Sequence, residues 1–303
     1  MPDPGPGSVS SVPSAIPTLT RPRSNHMLLR HTITLLMRGI KTSITTHSIL
    51  RIAYFANPAH NLSPHIPRVH RQPRLFRTMT PSPSDPIVEA LKEYTTCDVS
   101  DALCKLKFPN GGFLSGLTMW SPQRQDGPTK IVGPAYTVKY QPKDDPAPKH
   151  PTHYIDSVPA GAVIFVSCPP KTPNACYGGL MSTRAIASKA VGSVIDGRLR
   201  DLQEQRDLNY PIFARDVGTA PPQEILKVTA VNVPVKLQTD EQDIIINPGD
   251  YLIGDLNGVV VLPRELAEKA LPLMAAQVAA DSKMAVEIEK GMTFSEASKR
   301  FRS

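Results

Sequence analysis

Between residues 133 and 214, short apolar runs alternate with one helix-patterned stretch, and no other feature of the chain limits its fold as much. Residues 133–140 read as a strand, and Ala162-Val163-Ile164-Phe165-Val166 as a buried one. Gly178-Gly179 precede a helical pattern over residues 180–190. Ser193-Val194-Ile195 is a short buried strand ending at Asp196-Gly197, and Pro211-Ile212-Phe213-Ala214 is another strand. Outside this block, Asp85 with Pro86 next starts a helix, and Val99-Ser100-Asp101-Ala102-Leu103 opens or continues a second. Val231, Val233, Val235 and Leu237 alternate as one half-buried strand. Asn257-Gly258 marks a hairpin between residues 251–255 and 259–262. Pro263 starts a long helix through about residue 289, and Thr293 with Glu296 forms a capping box for a last short one. The pattern predicts a single α/β domain with mixed sheets over residues 81–303.

Charge separates this domain from what precedes it. Residues 1–80 hold ten Lys or Arg against one acid, Asp3, a balance of about +9. The whole chain is +7, which leaves about −2 for residues 81–303. The basic excess therefore belongs to the leader. It does not argue for nucleic-acid binding, which would place the cations on the folded domain. The leader is rich in Arg, Ser, Thr, His and Pro, and its apolar stretch 27–40 is broken by Arg30, His31 and Arg38. That composition suits a mitochondrial presequence. Met79, just ahead of the first folded-looking segment, equally suits a true start with an extension upstream. The expected location is mitochondrial or cytoplasmic accordingly. No run of 18 apolar residues is present, so no membrane span is expected. Cys97, Cys104, Cys168 and Cys176 form no CxxC pair and no zinc-finger spacing with His, and read as reduced thiols. The lack of GxGxxG, P-loop and HExxH patterns argues against dinucleotide, nucleoside-triphosphate and zincin chemistry.

The chemistry concentrates in the segment from Tyr177 to Asp201, YGGLMSTRAIASKAVGSVIDGRLRD. Gly178-Gly179 stand at a helix start, where unpaired amides and the helix dipole favour an anion that glycine lets approach closely. A helix of about 12 residues runs about 18 Å away, and the strand after Gly192 can return a similar distance. Arg200 and Asp201 can thus arrive beside Gly178. Arg200 offers a planar fork for a carboxylate or a 2-oxo oxygen. Asp201 offers a hard oxygen ligand for Mg²⁺ or Mn²⁺. A 2-oxo acid chelates such an ion, and Arg200 with the ion would stabilise the enolate left when the neighbouring C–C bond breaks. By spacing alone, an adjacent Arg-Asp pair is more often a surface ion pair, and Gly-Gly before a helix more often a turn.

The segment resembles the RraA-like family, which includes class II aldolases of 4-hydroxy-4-methyl-2-oxoglutarate with a companion oxaloacetate decarboxylase activity. The resemblance covers roughly residues 85–270. It rests on Val99-Ser100-Asp101-Ala102-Leu103, on Gly133-Pro134-Ala135-Tyr136-Thr137, on Gly178 to Met181, and most on Val194-Ile195-Asp196-Gly197-Arg198-Leu199-Arg200-Asp201. Pro248-Gly249-Asp250 and the segment from Asp255 to Pro263 follow in the expected order. The resemblance implies a compact domain with mixed β-sheets sandwiched by helices, of the swivelling α/β/β/α type, assembled as a homotrimer with sites near subunit interfaces. It implies that the backbone of Gly178, Gly179, Leu180 and Met181 holds the substrate carboxylate, that Arg200 binds the substrate oxygens, and that Asp201 holds the divalent metal. Where the aldolases it resembles carry an acid, this chain has Gly179. That leaves the base for aldol cleavage unassigned and favours oxaloacetate decarboxylation, which needs none. Some members of the family instead bind and inhibit an RNA-processing ribonuclease; such regulators are expected to lack the metal carboxylate, so Asp201 favours the enzyme. A methyltransferase is disfavoured because no glycine-rich cofactor loop follows an early strand.

Other residues carry weaker expectations. Asp98, Asp101 and Glu204 are other carboxylates in plausible places for the unassigned base, each read in preference as a helix cap or an exposed charge. Asp196 either orients Arg200 or the metal's waters, or makes an Asp-Gly turn. His150 and His153 are expected to be solvated in a Pro- and Lys-rich loop, Lys189 to be exposed on the helix, and Trp120 to pack.

Overall fold

The computed structural model describes residues 85–302, so the basic leader expected over residues 1–80 lies outside the described residues. The first helix begins where its cap predicts. Asp85 accepts from the Ile87 amide at 3.0 Å and starts α1 (Pro86–Leu91). Thr95 and Asp98 form a reciprocal box at the head of α2 (Thr96–Lys105), satisfying amides that a helix start leaves unpaired. The remaining helices are α3 (Gly179–Ala187), α4 (Leu202–Asp207), α5 (Ala267–Glu289) and α6 (Phe294–Phe301), the last capped by Thr293 and Glu296 as expected. None of the described helices is long and apolar enough to cross a membrane.

Eleven strands follow in chain order: β1 (Thr118–Ser121), β2 (Ile131–Pro142), β3 (Val163–Ser167), β4 (Ala175–Tyr177), β5 (Gly192–Leu199), β6 (Ile212–Val217), β7 (Leu226–Val231), β8 (Val235–Lys236), β9 (Ile245–Ile246), β10 (Tyr251–Asp255) and β11 (Gly258–Leu262). The long β2 is the hub. Its residues 131–134 pair antiparallel with β10, residues 135–139 pair parallel with β3, and residues 138–142 pair antiparallel with β7. From β3 the sheet continues in parallel through β5 to β6, with β1 closing that edge antiparallel and β4 lying beside β5.

Side chains alternate between the two faces of each strand, and here they feed three apolar layers. Phe165, Val194 and Phe213 point into a middle layer that they share with Leu252, Val259 and Val261 of the β10–β11 hairpin. Their neighbours Ile164, Val166, Ile195 and Ile212 point outward under α3 and α4. Ile253, Val260 and Leu262 point the other way, under α1, α2 and α5. The order is helix, sheet, sheet, helix. Every residue of β3 is buried, which explains its unbroken apolar run.

Three local expectations are corrected. Val231 to Leu237 is not one strand: Asn232 turns left-handed at φ 50°, β7 ends at Val231, and the chain resumes as β8, whose Val235 joins the middle layer. Asp196-Gly197 is not a turn, because β5 runs through both to Leu199. The hairpin loop is Leu256-Asn257, since Gly258 pairs with Asp255 and begins β11.

Candidate functional site

The ends of two neighbouring strands bring the glycine pair and the Arg-Asp pair together. The Arg200 amide donates to the Tyr177 carbonyl at 2.9 Å, tying the end of β5 to the end of β4. The Asp201 carboxylate then accepts from the Gly179 amide at 3.0 Å, across 22 residues of chain. Arg200 Nε lies 3.3 Å from the same oxygen, with both side chains about a third exposed. Asp201 reaches this position in a left-handed backbone, φ 59° and ψ 41°, at the head of α4, where its side chain makes no helix cap. That region costs an ordinary L-residue roughly 1 kcal/mol, somewhat less for Asp. A residue that would serve as a cap is thereby turned back toward α3.

Space, not conformation, demands glycine at 178. Its φ of −141° is ordinary extended backbone, but a Cβ there would lie 2.8 Å from Asp201 Oδ2 and 3.3 Å from Arg200 Nε. At Gly179 a Cβ would fall inside the Glu204 carboxylate. Two carboxylates, Asp201 and Glu204, therefore converge over the glycine pair. Of the four amides expected to receive a substrate carboxylate, that of Gly179 is taken by Asp201, and that of Met181 donates to the Gly178 carbonyl at 3.0 Å. The Leu180 side chain is 74% exposed, while Met181 packs against the core. Beneath them, Ser182 and Ser193 donate to the Tyr177 hydroxyl at 3.3 and 3.0 Å, fixing the start of α3 on the sheet. Burial pushes the Tyr177 phenol up to about 12. The cavity above this floor holds about 180 Å³, with Arg200 and Asp201 on one side and Tyr140 and His153 on the other.

The remaining candidates are distributed elsewhere. Asp196 does not orient Arg200. Its buried carboxylate accepts from Arg215 Nε at 2.5 Å and from the Gln238 amide at 2.6 Å. Burial pushes that carboxyl up, and Arg215 pulls it back only in part. Asp98 is the acidic partner of Thr95 in the capping box of α2, and Asp101 is exposed. Lys189 is exposed just past α3. Trp120 packs, its Nε1 donating to the Ala214 carbonyl at 3.1 Å. Cys168 and Cys176 are buried free thiols, and Cys97 and Cys104 exposed ones. His153 is exposed as expected, yet its ring stacks on Tyr154 with centroids 4.9 Å apart and borders the cavity. Glu204 is exposed too, but its place over Gly179 was missed. The signal was its spacing of three from Asp201, which puts both on one side of a helix start.

Among the described residues, no three His, Cys, Asp or Glu side chains cluster as metal ligands. The two oxygen donors over the glycines, open to solvent, fit an ion that keeps waters and substrate oxygens in its shell, as Mg²⁺ and Mn²⁺ do. They do not form a closed zinc centre.

Comparison with known proteins finds relatives of this chain. Protein DlpA of Legionella pneumophila is 26% identical over 74% of this chain and 36% of its own length. A Halalkalibacterium halodurans protein bearing a provisional 4-hydroxy-4-methyl-2-oxoglutarate aldolase name is 30% identical over 47% of this chain and 64% of its own. The chain thus spans less than two thirds of these curated relatives. Among solved structures, an uncharacterised protein of Pseudomonas syringae pv. tomato is 31% identical with a TM-score of 0.60, covering 70% of this chain and 96% of that one. RraAS2 of Streptomyces coelicolor, described as an unusual member of the RNase ES inhibitor RraA protein family, is 25% identical with a TM-score of 0.56, covering 69% and 98%. The RraA-like family (Aldolase/RraA) itself matches residues 96–261, a stretch that contains every residue converging on the cavity floor, and the chain belongs to that family.

Proposed function

We propose that the protein is a divalent-metal-dependent carbon–carbon lyase on small 2-oxo acids, decarboxylating oxaloacetate, cleaving 4-hydroxy-4-methyl-2-oxoglutarate, or both. The observation that carries this reading is Asp201, held left-handed so that its carboxylate faces Arg200 and the start of α3 instead of capping its own helix. Unfavourable backbone at a cavity is a sign of function when the surrounding structure enforces it.

Asp201 would hold Mg²⁺ or Mn²⁺, and a bound ion supplies Lewis-acid polarisation of the 2-oxo group. The substrate carboxylate belongs at the start of α3, against the amides of Gly178, Gly179, Leu180 and Met181. The Gly179 amide, now spent on Asp201, would become available to the substrate if that carboxylate held a cation instead. As the C3–C4 bond breaks, its electron pair collects on the enolate oxygen, and the Arg200 guanidinium meets that charge. In decarboxylation CO₂ departs and C3 takes a proton from water. In aldol cleavage the 4-hydroxyl must lose its proton, and Glu204 supplies the carboxylate that Gly179 lacks.

The direct test is pyruvate release from oxaloacetate with Mg²⁺ or Mn²⁺, read against the same ion without protein. A rate above that background, abolished by EDTA, is expected; a rate equal to it removes the proposal. Glu204→Gln is expected to slow cleavage of 4-hydroxy-4-methyl-2-oxoglutarate about 100-fold while oxaloacetate decarboxylation stays within about fivefold. Equal losses on both substrates would show that Glu204 is not the base.

A homotrimer is part of the same proposal. Likeness to RraAS2 supports a second reading, a non-catalytic protein that binds a ribonuclease. No metal-stimulated turnover, with capture of a ribonuclease, would favour it.

A further inference from the structure

The cavity over Arg200 does not end at Asp201. Tyr140, His153, Pro222 and Gln223 form a rim that it shares with a second cavity of about 250 Å³. The two differ in charge. In the first, Arg200 is matched by Asp201. The second is bordered by Lys149 and Lys227 with His150 and His153, and no carboxylate lines it. Among the described residues neither lysine is ion-paired. Lys227 spends one of its three donors on the Asp145 carbonyl at 2.6 Å, which anchors the ammonium and leaves two donors over. The His150 ring is set by its Nδ1–H, which donates to the Thr152 carbonyl at 2.9 Å. Tyr154, whose buried hydroxyl has no hydrogen-bond partner among the described residues, forms part of the wall.

Size separates the roles of the two spaces. At roughly 30 Å³ per water, the first cavity, about 180 Å³, suits a pyruvyl unit and a little solvent. A longer ligand that extends across the shared rim meets two lysines that form no ion pair among the described residues.

We infer that Lys149 and Lys227 are specificity-determining residues, selecting 2-oxo acids whose far end carries a second anionic group. This rests on the 2-oxo acid reading of the Arg200–Asp201 site, and the experiment separates the two. With the full chain and Mg²⁺, calorimetry measures the binding of pyruvate, 2-oxohexanoate and 2-oxoadipate. The last two have the same chain length and differ in the terminal carboxylate, and none has a bond poised to break. 2-Oxoadipate is expected to bind about fivefold tighter than 2-oxohexanoate. The Lys149→Ala, Lys227→Ala double variant erases that preference and keeps the wild-type affinity for pyruvate, which also reports that it is folded. A Lys149→Arg, Lys227→Arg variant keeps the preference. If pyruvate binds but the wild type shows no preference, or the double alanine variant retains it, the assignment of the lysines is overturned and the 2-oxo acid site stands. If pyruvate does not bind, that site falls and the inference with it.

Discussion

Arg200→Ala is expected to lower the rate constant for pyruvate release from oxaloacetate about 10²- to 10³-fold. The guanidinium sits at the end of β5, its backbone tied to Tyr177, where it faces the cavity rather than the core. Its partner in the resting site is a carboxylate 3.3 Å away, and both are about a third exposed, so the ion pair itself contributes at most about 1 kcal/mol to stability. Removing Arg200 should therefore leave the melting temperature within a few degrees of the wild type while the rate collapses. Arg200→Lys should recover only part of it, because an ammonium keeps the charge but not the planar fork. A coupled pyruvate assay alongside a thermal melt separates the two effects. A rate that survives the alanine change would take Arg200 out of the chemistry.

Asp201→Gly should remove metal stimulation altogether, with the rate falling to that of the free ion, at a cost in stability of only about 1–2 kcal/mol. Glycine adopts a φ of 59° without strain. That relief, under about 1 kcal/mol, returns only part of what goes with the bond from the Gly179 amide and with the greater freedom of the unfolded chain. Asp201→Ala gives the same loss of activity but keeps the strain, so it should melt below Asp201→Gly. Both variants lack the carboxylate, so Tm values in the opposite order would mean that the left-handed backbone at residue 201 stores no strain, and metal-stimulated turnover in either variant would place the metal elsewhere.

Much of this site was legible in the sequence because it is built from local signals. A glycine pair at a helix start and an Arg-Asp pair after a buried strand need only one helix and one strand between them. The 22-residue spacing closes with an amide-to-carboxylate bond from Gly179 to Asp201. Caps were equally legible at Asp85 and Thr293, which act within three residues of themselves. What was hidden depends on tertiary contacts or on one unusual dihedral. The apolar alternation from Val231 to Leu237 looks like a single strand until Asn232 turns left-handed and redirects the chain. Asp196-Gly197 has the composition of a turn, but Arg215 and the Gln238 amide bind the carboxylate inside the sheet and let β5 run on. The approach of Glu204 to Gly179 and the basic space behind His153 depend on how α4 and the segment before β3 pack, which no periodicity records.

The double allegiance of β2 carries a consequence for how a ligand gets in. One uninterrupted backbone is laced to β10 at its beginning and to β3 and β7 further along, so the two layers are spliced and cannot shear past each other without tearing their own ladder. A clamshell motion is closed to such a frame. Entry to the cavity is left to its rim, where Leu180, His153 and Gln223 stand.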